Sequence, residues 1–165
     1  MFKSRRGEKG DMSTAEAGIY ARESEYLDRY VQFGAAGEKV IQLSFPETPE
    51  DEARAEHDLL DRIDAYLAGT EDSFTDVEVG LTVPTDHRSV LEAVREIPYG
   101  EQGSVEQVAR MAAGINHEDE DSIRTVREAL ANNPAPLLIP DHRVRDGPSG
   151  APTPVVQKLR IVEGL

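Results

Sequence analysis

Apolar and polar positions follow two different periods along this chain, and the change of period divides it. Up to about residue 45 the apolar positions favour alternation, and from residue 50 onward they recur at three and four. Over residues 17–30, Tyr20, Tyr26, Leu27 and Tyr30 lie among charges, which predicts a strand or an irregular lead-in. Val31-Gln32-Phe33 and the alternating run Lys39-Val40-Ile41-Gln42-Leu43-Ser44-Phe45 predict a β-hairpin turning through Gly34–Glu38, closed off by Pro46 and Pro49. Residues 50–68 predict a helix: Leu59, Leu60, Ile63, Tyr66 and Leu67 form one stripe, acids fill the first turn, and Gly69 follows the end. Thr70 to Asp76 reads as a polar loop. Helices follow over 86–96 (Val90, Leu91, Val94, Ile97), from a Ser104 cap to Ala112 (Val105, Val108, Met111), and from a Ser122 cap to Ala131 (Ile123, Val126, Ala129, Leu130). The last two, joined by a loop, suit a helix-turn-helix. Leu137-Leu138-Ile139 predicts a short buried strand, and Asp146 to Pro154 a Pro/Gly-rich loop. A final helix is predicted over 154–163.

This pattern predicts an α+β fold: a disordered tail over 1–16, a small α/β lobe over 17–80, and a mainly helical domain over 81–165. The chain of 165 residues, 38% hydrophobic, can bury a real core, and with no Trp and 5% aromatics that core is mostly aliphatic. The basic start, Met1 to Gly10, has no apolar stretch after it, so it reads as a tail, with Met12 as an alternative start. No run approaches the roughly 18 apolar residues of a membrane helix, and no signal-peptide core is visible. The expectation is a cytoplasmic monomer with no membrane partner.

The absence of cysteine excludes disulfides and thiolate chemistry. The net charge of −14 argues at first sight against nucleic acid. Its distribution weakens that objection: residues 1–87 carry 9 Lys/Arg against 20 Asp/Glu, residues 88–165 carry 9 against 12, and four of those 12 form the single run Glu118-Asp119-Glu120-Asp121. Such an acidic composition resembles that of proteins from salt-in halophiles. In molar salt the Debye length is about 3 Å, so long-range repulsion from DNA is screened, while the same salt weakens phosphate contacts.

The segment carrying the most chemistry is Asn133-Pro134-Ala135-Pro136-Leu137-Leu138-Ile139-Pro140-Asp141-His142-Arg143-Val144. With Ile97-Pro98-Tyr99-Gly100-Glu101, Ile123-Arg124-Thr125-Val126, Glu163-Gly164, and Ala65-Tyr66-Leu67-Ala68-Gly69-Thr70 followed by Phe74, it resembles the O6-alkylguanine-DNA alkyltransferases. These motifs come in family order over about 100 residues. The family reads Pro-Cys-His-Arg-Val where this chain has Pro140-Asp141-His142-Arg143-Val144, so Asp141 stands at the position of the alkyl-accepting cysteine. In this respect the chain is similar to the alkyltransferase-like proteins, which usually carry Trp there.

The resemblance implies a ribonuclease H-like N-terminal lobe and a winged helix-turn-helix domain that enters the minor groove of duplex DNA. It places Arg124 where an arginine replaces a flipped guanine. His142 falls where a histidine activates the nucleophile through water, Glu163 where a glutamate orients that histidine, and Asn133 where an asparagine buttresses the turn. The expected site set is therefore Asp141, His142 and Glu163 at the reacting centre. Arg124, Thr125, Arg127, Asn133 and Arg143 are expected to serve DNA, and Pro140, Val105 and Ser149 to form the base pocket. Neither metal nor cofactor is expected; His57, His87 and His117 lie beside acids without metal spacing. The chain also departs from the family. Val105 occupies the position of a base-flipping tyrosine, Arg127 and Glu128 stand where glycine is frequent, and Gly147-Pro148-Ser149-Gly150-Ala151-Pro152 replaces a Tyr-containing loop.

Asp141 then has three readings. As an inert replacement it leaves a DNA-repair-associated protein that recognises O6-alkylguanine without transfer and hands it to another pathway, such as nucleotide-excision repair proteins. As a nucleophile it forms an alkyl ester that can hydrolyse. As a charge it accepts hydrogen bonds from guanine, or repels DNA and leaves a winged-helix scaffold for a protein partner or for transcription. Each retained residue also has a structural reading: Arg124 as a solvated charge, His142 as a turn-capping group, Glu163 as its partner, Tyr99 as core.

Overall fold

The structure, a computed structural model, describes residues 18–116 and 118–165. The expected tail over 1–16, Met12 and His117 lie outside the described residues. Three strands, β1 (Gly18–Ser24), β2 (Arg29–Ala36) and β3 (Lys39–Ser44), form an antiparallel sheet in the order β1-β2-β3. The lead-in is thus a strand over its first half. The β2–β3 turn is shorter than the Gly34–Glu38 segment predicted. Only Gly37 and Glu38 lie between the strands, and Gly37 adopts φ 63°, the left-handed conformation that a two-residue hairpin turn favours. Gly34 stays inside β2 beside a register shift.

Five α-helices follow among the described residues. α1 (Asp58–Leu67) begins eight residues later than its periodicity implies. The preceding segment is held by β1 instead: Ala21 N donates to Arg54 O at 2.9 Å and Arg54 N donates to Ile19 O at 3.0 Å. His57 then caps the helix, its Nδ1 accepting from Leu59 N at 3.0 Å. The stripe is buried as expected at Leu59, Leu60, Ile63 and Tyr66. α2 spans Thr85–Val94 and α3 Val105–Met111, with Ser104 and Gln107 forming a reciprocal capping box. α4 (Glu120–Ala131) is capped by Asp119 rather than Ser122. Glu120 and Asp121 therefore lie in its first turn, where the helix dipole favours negative charge. α5 spans Thr153–Glu163, and Gly164 ends it in the left-handed conformation.

Residues 137–139 are not a strand. Ile139 N donates back to Ala135 O at 2.9 Å, and Leu137 has φ 83°. The Asn133 side chain stabilises this turn, its Oδ1 accepting from Ala135 N at 3.0 Å and its Nδ2 donating to Ile139 O at 2.9 Å. All three apolar side chains are buried, so the run satisfies the core without needing a strand partner. Sheet and helices share one apolar cluster from Leu27 to Leu159. The sheet also reaches the asparagine turn directly, through Leu43 N to Pro134 O at 2.9 Å. No helix among the described residues is long and apolar enough to cross a membrane.

Candidate functional site

The turn after Pro140 is one turn of 3-10 helix over Asp141–Arg143. It directs all three charged or polar side chains inward: Asp141, His142 and Arg143 are 2%, 1% and 2% exposed. Burial of this kind is costly unless each group is paired. α5 brings Glu163 to meet two of them. Its Oε1 accepts from Arg143 Nε at 2.8 Å and from Gly100 N at 3.0 Å. Its Oε2 accepts from Arg143 Nη2 at 3.0 Å and from the Tyr66 hydroxyl at 2.5 Å, and lies 2.7 Å from His142 Nε2. Burial opposes ionisation of Glu163, but the bonds from His142 and Arg143 outweigh it and hold its carboxyl well below the ordinary carboxylate range. Burial, and then the charge of Glu163, push the Tyr66 hydroxyl far up. Arg143 Nη1 donates to Ile97 O at 2.8 Å, and its guanidinium lies 5.8 Å from the centre of the Tyr99 ring. The other ring nitrogen of His142, Nδ1, is buried and has no hydrogen-bond partner among the described residues.

Asp141 belongs to a second network. Its Oδ1 accepts from Ser149 Oγ at 2.6 Å, and its Oδ2 accepts from Gly150 N at 2.8 Å and Asn133 Nδ2 at 3.0 Å. Burial raises the Asp141 carboxyl above the ordinary range; the donors from Ser149, Gly150 and Asn133 oppose that rise without cancelling it. The carboxylate is thus enclosed by the asparagine turn on one side and the loop before α5 on the other. Pro140 precedes it and is buried, Val105 is buried at the start of α3 with its N–H donating to Asp146, and Ser149 is half-buried.

The residues expected at DNA separate into two groups. Asn133 and Arg143 lie inside, holding Asp141 and Glu163 respectively, and present nothing to a surface. Arg124 points away from the buried face of α4, and Thr125 and Arg127 flank that face on either side. The Arg124 side chain is 68% exposed and pairs with Asp121 at 3.0 Å. The Thr125 hydroxyl donates to Asp121 O at 3.1 Å, and Arg127 donates to Asp146 O at 3.1 Å. Tyr66 and Gly100 join the site without having been singled out for it. Tyr66 sits in an apolar stripe at helical spacing, where a tyrosine reads as core. Its one available signal is its hydroxyl, which needs a partner when buried.

What the arrangement can do follows from its parts. A buried carboxylate orients a histidine whose second nitrogen is unoccupied, beside a position where the reacting group would stand. At that position the chain has a carboxylate already bonded three times. The class this defines is a mixed α/β protein with a buried histidine–glutamate site next to an exposed, arginine-bearing helix. Residues 86–153 match the family model described as 6-O-methylguanine DNA methyltransferase, DNA binding domain. The methylated-DNA–protein-cysteine methyltransferase of Methanopyrus kandleri is 33% identical over 117 residues, 70% of this chain and 84% of that protein. Its counterpart in Methanosarcina acetivorans is 31% identical over 137 residues, 83% of this chain and 81% of that one. The fold matches the O6-methylguanine methyltransferase of Mycobacterium tuberculosis with a TM-score of 0.67 at 22% identity, covering 90% of this chain and 92% of the other. The structure of that protein in complex with DNA matches with a TM-score of 0.66 at 24% identity, covering 90% and 91%. The chain belongs to the methylated-DNA–protein-cysteine methyltransferase family, as a member with no cysteine.

Proposed function

We propose that this chain is a DNA-repair-associated member of its family that recognises O6-alkylguanine in duplex DNA and transfers no alkyl group to cysteine. The observation that carries the reading is Asp141. It occupies the acceptor position as a buried carboxylate whose two oxygens already take three hydrogen bonds, while the exposed face of α4 keeps Arg124. In this reading α3 and α4 act as a winged helix-turn-helix, α4 enters the minor groove, and Arg124 fills the gap left by the flipped base. The N-terminal sheet and α1 form a ribonuclease H-like lobe that packs on the site through Tyr66. The lesion is held for another repair pathway, with nucleotide-excision repair proteins as the natural partner class.

Arg124 must first leave Asp121. An exposed ion pair is worth about 0–1 kcal/mol, so the exchange costs little. The competing reading makes Asp141 the acceptor itself, forming an ester. Its hydrogen bonds disfavour that, because each donor withdraws density from the oxygen that would attack. The third reading, a scaffold for a protein partner, has no observation of its own.

The test is an anisotropy titration, run from low to molar potassium chloride, with matched duplexes, one normal and one carrying O6-methylguanine, followed by intact-mass spectrometry of the protein. Tighter binding of the modified duplex with no mass gain is expected. A stoichiometric gain of one methyl group at Asp141 establishes the ester chemistry instead, and no affinity for either duplex removes the DNA reading.

A further inference from the structure

The loop between the 3-10 turn and α5 is fixed at both ends by aspartates. At its start, Asp146 Oδ1 accepts from Val105 N at 2.7 Å, and Asp146 O accepts from Arg127 at 3.1 Å. At its far end, Ser149 and Gly150 both donate to the Asp141 carboxylate, and Ser149 Oγ in turn accepts from Ala151 N at 2.9 Å. Between these points two glycines let the backbone press close. A Cβ on Gly147 would come within 2.7 Å of Leu130 Cδ1, and one on Gly150 within 2.4 Å of the Asn133 carbonyl oxygen. The result is a covered carboxylate: Asp141 and its neighbour His142 are 2% and 1% exposed, and His142 Nδ1 is buried without a hydrogen-bond partner among the described residues.

We propose that Asp141 is a latch: its carboxylate holds the 146–152 loop closed over the Pro140–His142 turn, and a ligand reaches that turn only by displacing Ser149 and Gly150 from it. The identity of that ligand, a base turned out of duplex DNA, rests on the function proposed above; the latch does not. The chemistry of the contact constrains what can displace it. The carboxylate is left with Asn133 alone when the loop lifts, and a ligand that covers it again without supplying donors leaves a buried charged acceptor unsatisfied. A ligand that opens the loop must therefore bring N–H or O–H donors of its own, as the exocyclic amino group of a guanine does.

Two substitutions at one position separate the latch from the bulk of the residue. Asp141→Ala removes both acceptor oxygens. Asp141→Asn keeps the shape and can keep all three contacts: its carbonyl oxygen accepts from Gly150 N and Asn133 Nδ2, and its amide donates to Ser149 Oγ. Ser149→Ala gives a second probe outside the core: it removes one donor, leaves the carboxylate in place and also takes away the acceptor of Ala151 N, so in that variant the Gly150 amide alone reads the latch. Hydrogen exchange of the free protein reads the loop directly, because the amides of Gly150 and Ala151 are protected by these contacts.

The expected result is slow exchange of both amides in the wild type and in Asp141→Asn. Exchange should be faster by about tenfold or more in Asp141→Ala, and smaller in effect in Ser149→Ala, with α4 and α5 unchanged in all four. Fast exchange at Gly150 in the wild type, or equal protection in wild type, Ser149→Ala and Asp141→Ala, overturns the latch. Since this measurement contains no DNA, it fails or succeeds separately from the titration above. If that titration shows binding, Ser149→Ala, which weakens the latch and keeps the carboxylate as an acceptor for the ligand, should bind the O6-methylguanine duplex severalfold more tightly than wild type; an unchanged affinity in a Ser149→Ala protein whose loop has come free overturns the gating role.

Discussion

Replacing Glu163 by glutamine tests whether the buried cluster holds the molecule together. The side chain of Glu163 is fully buried and that of Arg143 is 2% exposed, so neither gains solvation from water when the other is lost. The two carboxylate oxygens accept from Gly100, Tyr66 and Arg143 twice, and face His142. Glutamine keeps one oxygen, so in either orientation its amide N–H groups point at two or more existing donors. The substitution also strands the Arg143 charge. Removing one partner of a buried pair costs about 3–5 kcal/mol, against a total stability of about 5–15 kcal/mol for a domain. At roughly 2–4 °C per kcal/mol for a chain of this size, Tm should fall by roughly 6–20 °C.

Thermal unfolding at pH 7 in molar salt measures this, with Glu128→Gln on the exposed face of α4 as a control for loss of one charge. The pH dependence adds a sign. Glu163 titrates below its unfolded value in the folded protein. Its contribution is therefore present above the unfolded carboxylate pKa of about 4.3 and lost as pH falls through the folded value. The gap in stability between wild type and Glu163→Gln should be fully present at neutral pH and begin to narrow only as pH falls below about 4, continuing to narrow toward the folded value. A fall in Tm no larger than that of Glu128→Gln would falsify the claim that this cluster is structural.

Two further substitutions address the chemistry and the DNA face. Asp141→Cys places a thiol beside His142 and removes the carboxylate from Ser149 and Gly150; a folded variant should take up a benzyl group from O6-benzylguanine, and complete inactivity by intact mass shows that the guanine pocket is gone. Arg124→Ala should weaken binding to an O6-methylguanine duplex by about 1–3 kcal/mol while leaving the salt dependence of binding to normal duplex nearly unchanged; equal affinities of wild type and Arg124→Ala for both duplexes remove the base-flipping role.

How much of this was legible in the sequence depends on the range of the interactions. The stripe of α1, the Ser104 cap, the loop before α5 and the last helix follow from local periodicity and capping chemistry, and they stand close to where the pattern puts them. The start of α1 and the 137–139 segment do not. Both are decided by partners distant in the chain or by a side chain capping its own turn. Arg54 gives both its backbone groups to β1, and Asn133 closes a turn that an apolar run alone would read as a strand. The resemblance brought Asp141, His142, Glu163 and Asn133 into one place on paper, and the structure brings them together in space. It did not reveal that Arg143 serves Glu163, that Tyr66 crosses from α1 to the same carboxylate, or that Ser149 and Gly150 close on Asp141. Those contacts depend on α5 and its loop folding back onto residues 8 to 97 positions away.

The retained cluster does not by itself argue for retained chemistry. Once Arg143 and Glu163 are buried together, losing either leaves an uncompensated charge, and the cost falls on folding whether or not a reaction occurs. Selection for stability alone would keep Arg143, Glu163, Tyr66 and Asn133 in a protein that no longer touches a lesion. Asp141 differs, because an apolar side chain at that position would strand donors on Ser149, Gly150 and Asn133, so its present partners explain it as a loop anchor and not as a reactant. Arg124 differs again. With its side chain 68% exposed, on a helix whose buried face is Val126, Ala129 and Leu130, it contributes little to the fold through an exposed pair with Asp121. The fold has no need of an arginine there, so the DNA reading rests more on this one surface residue than on the whole buried site. A protein that loses lesion preference on Arg124→Ala while keeping its Tm uses that arginine for recognition; one that keeps its preference reads the lesion through other residues, and a wild type with no preference to lose has kept the family's core and left its purpose.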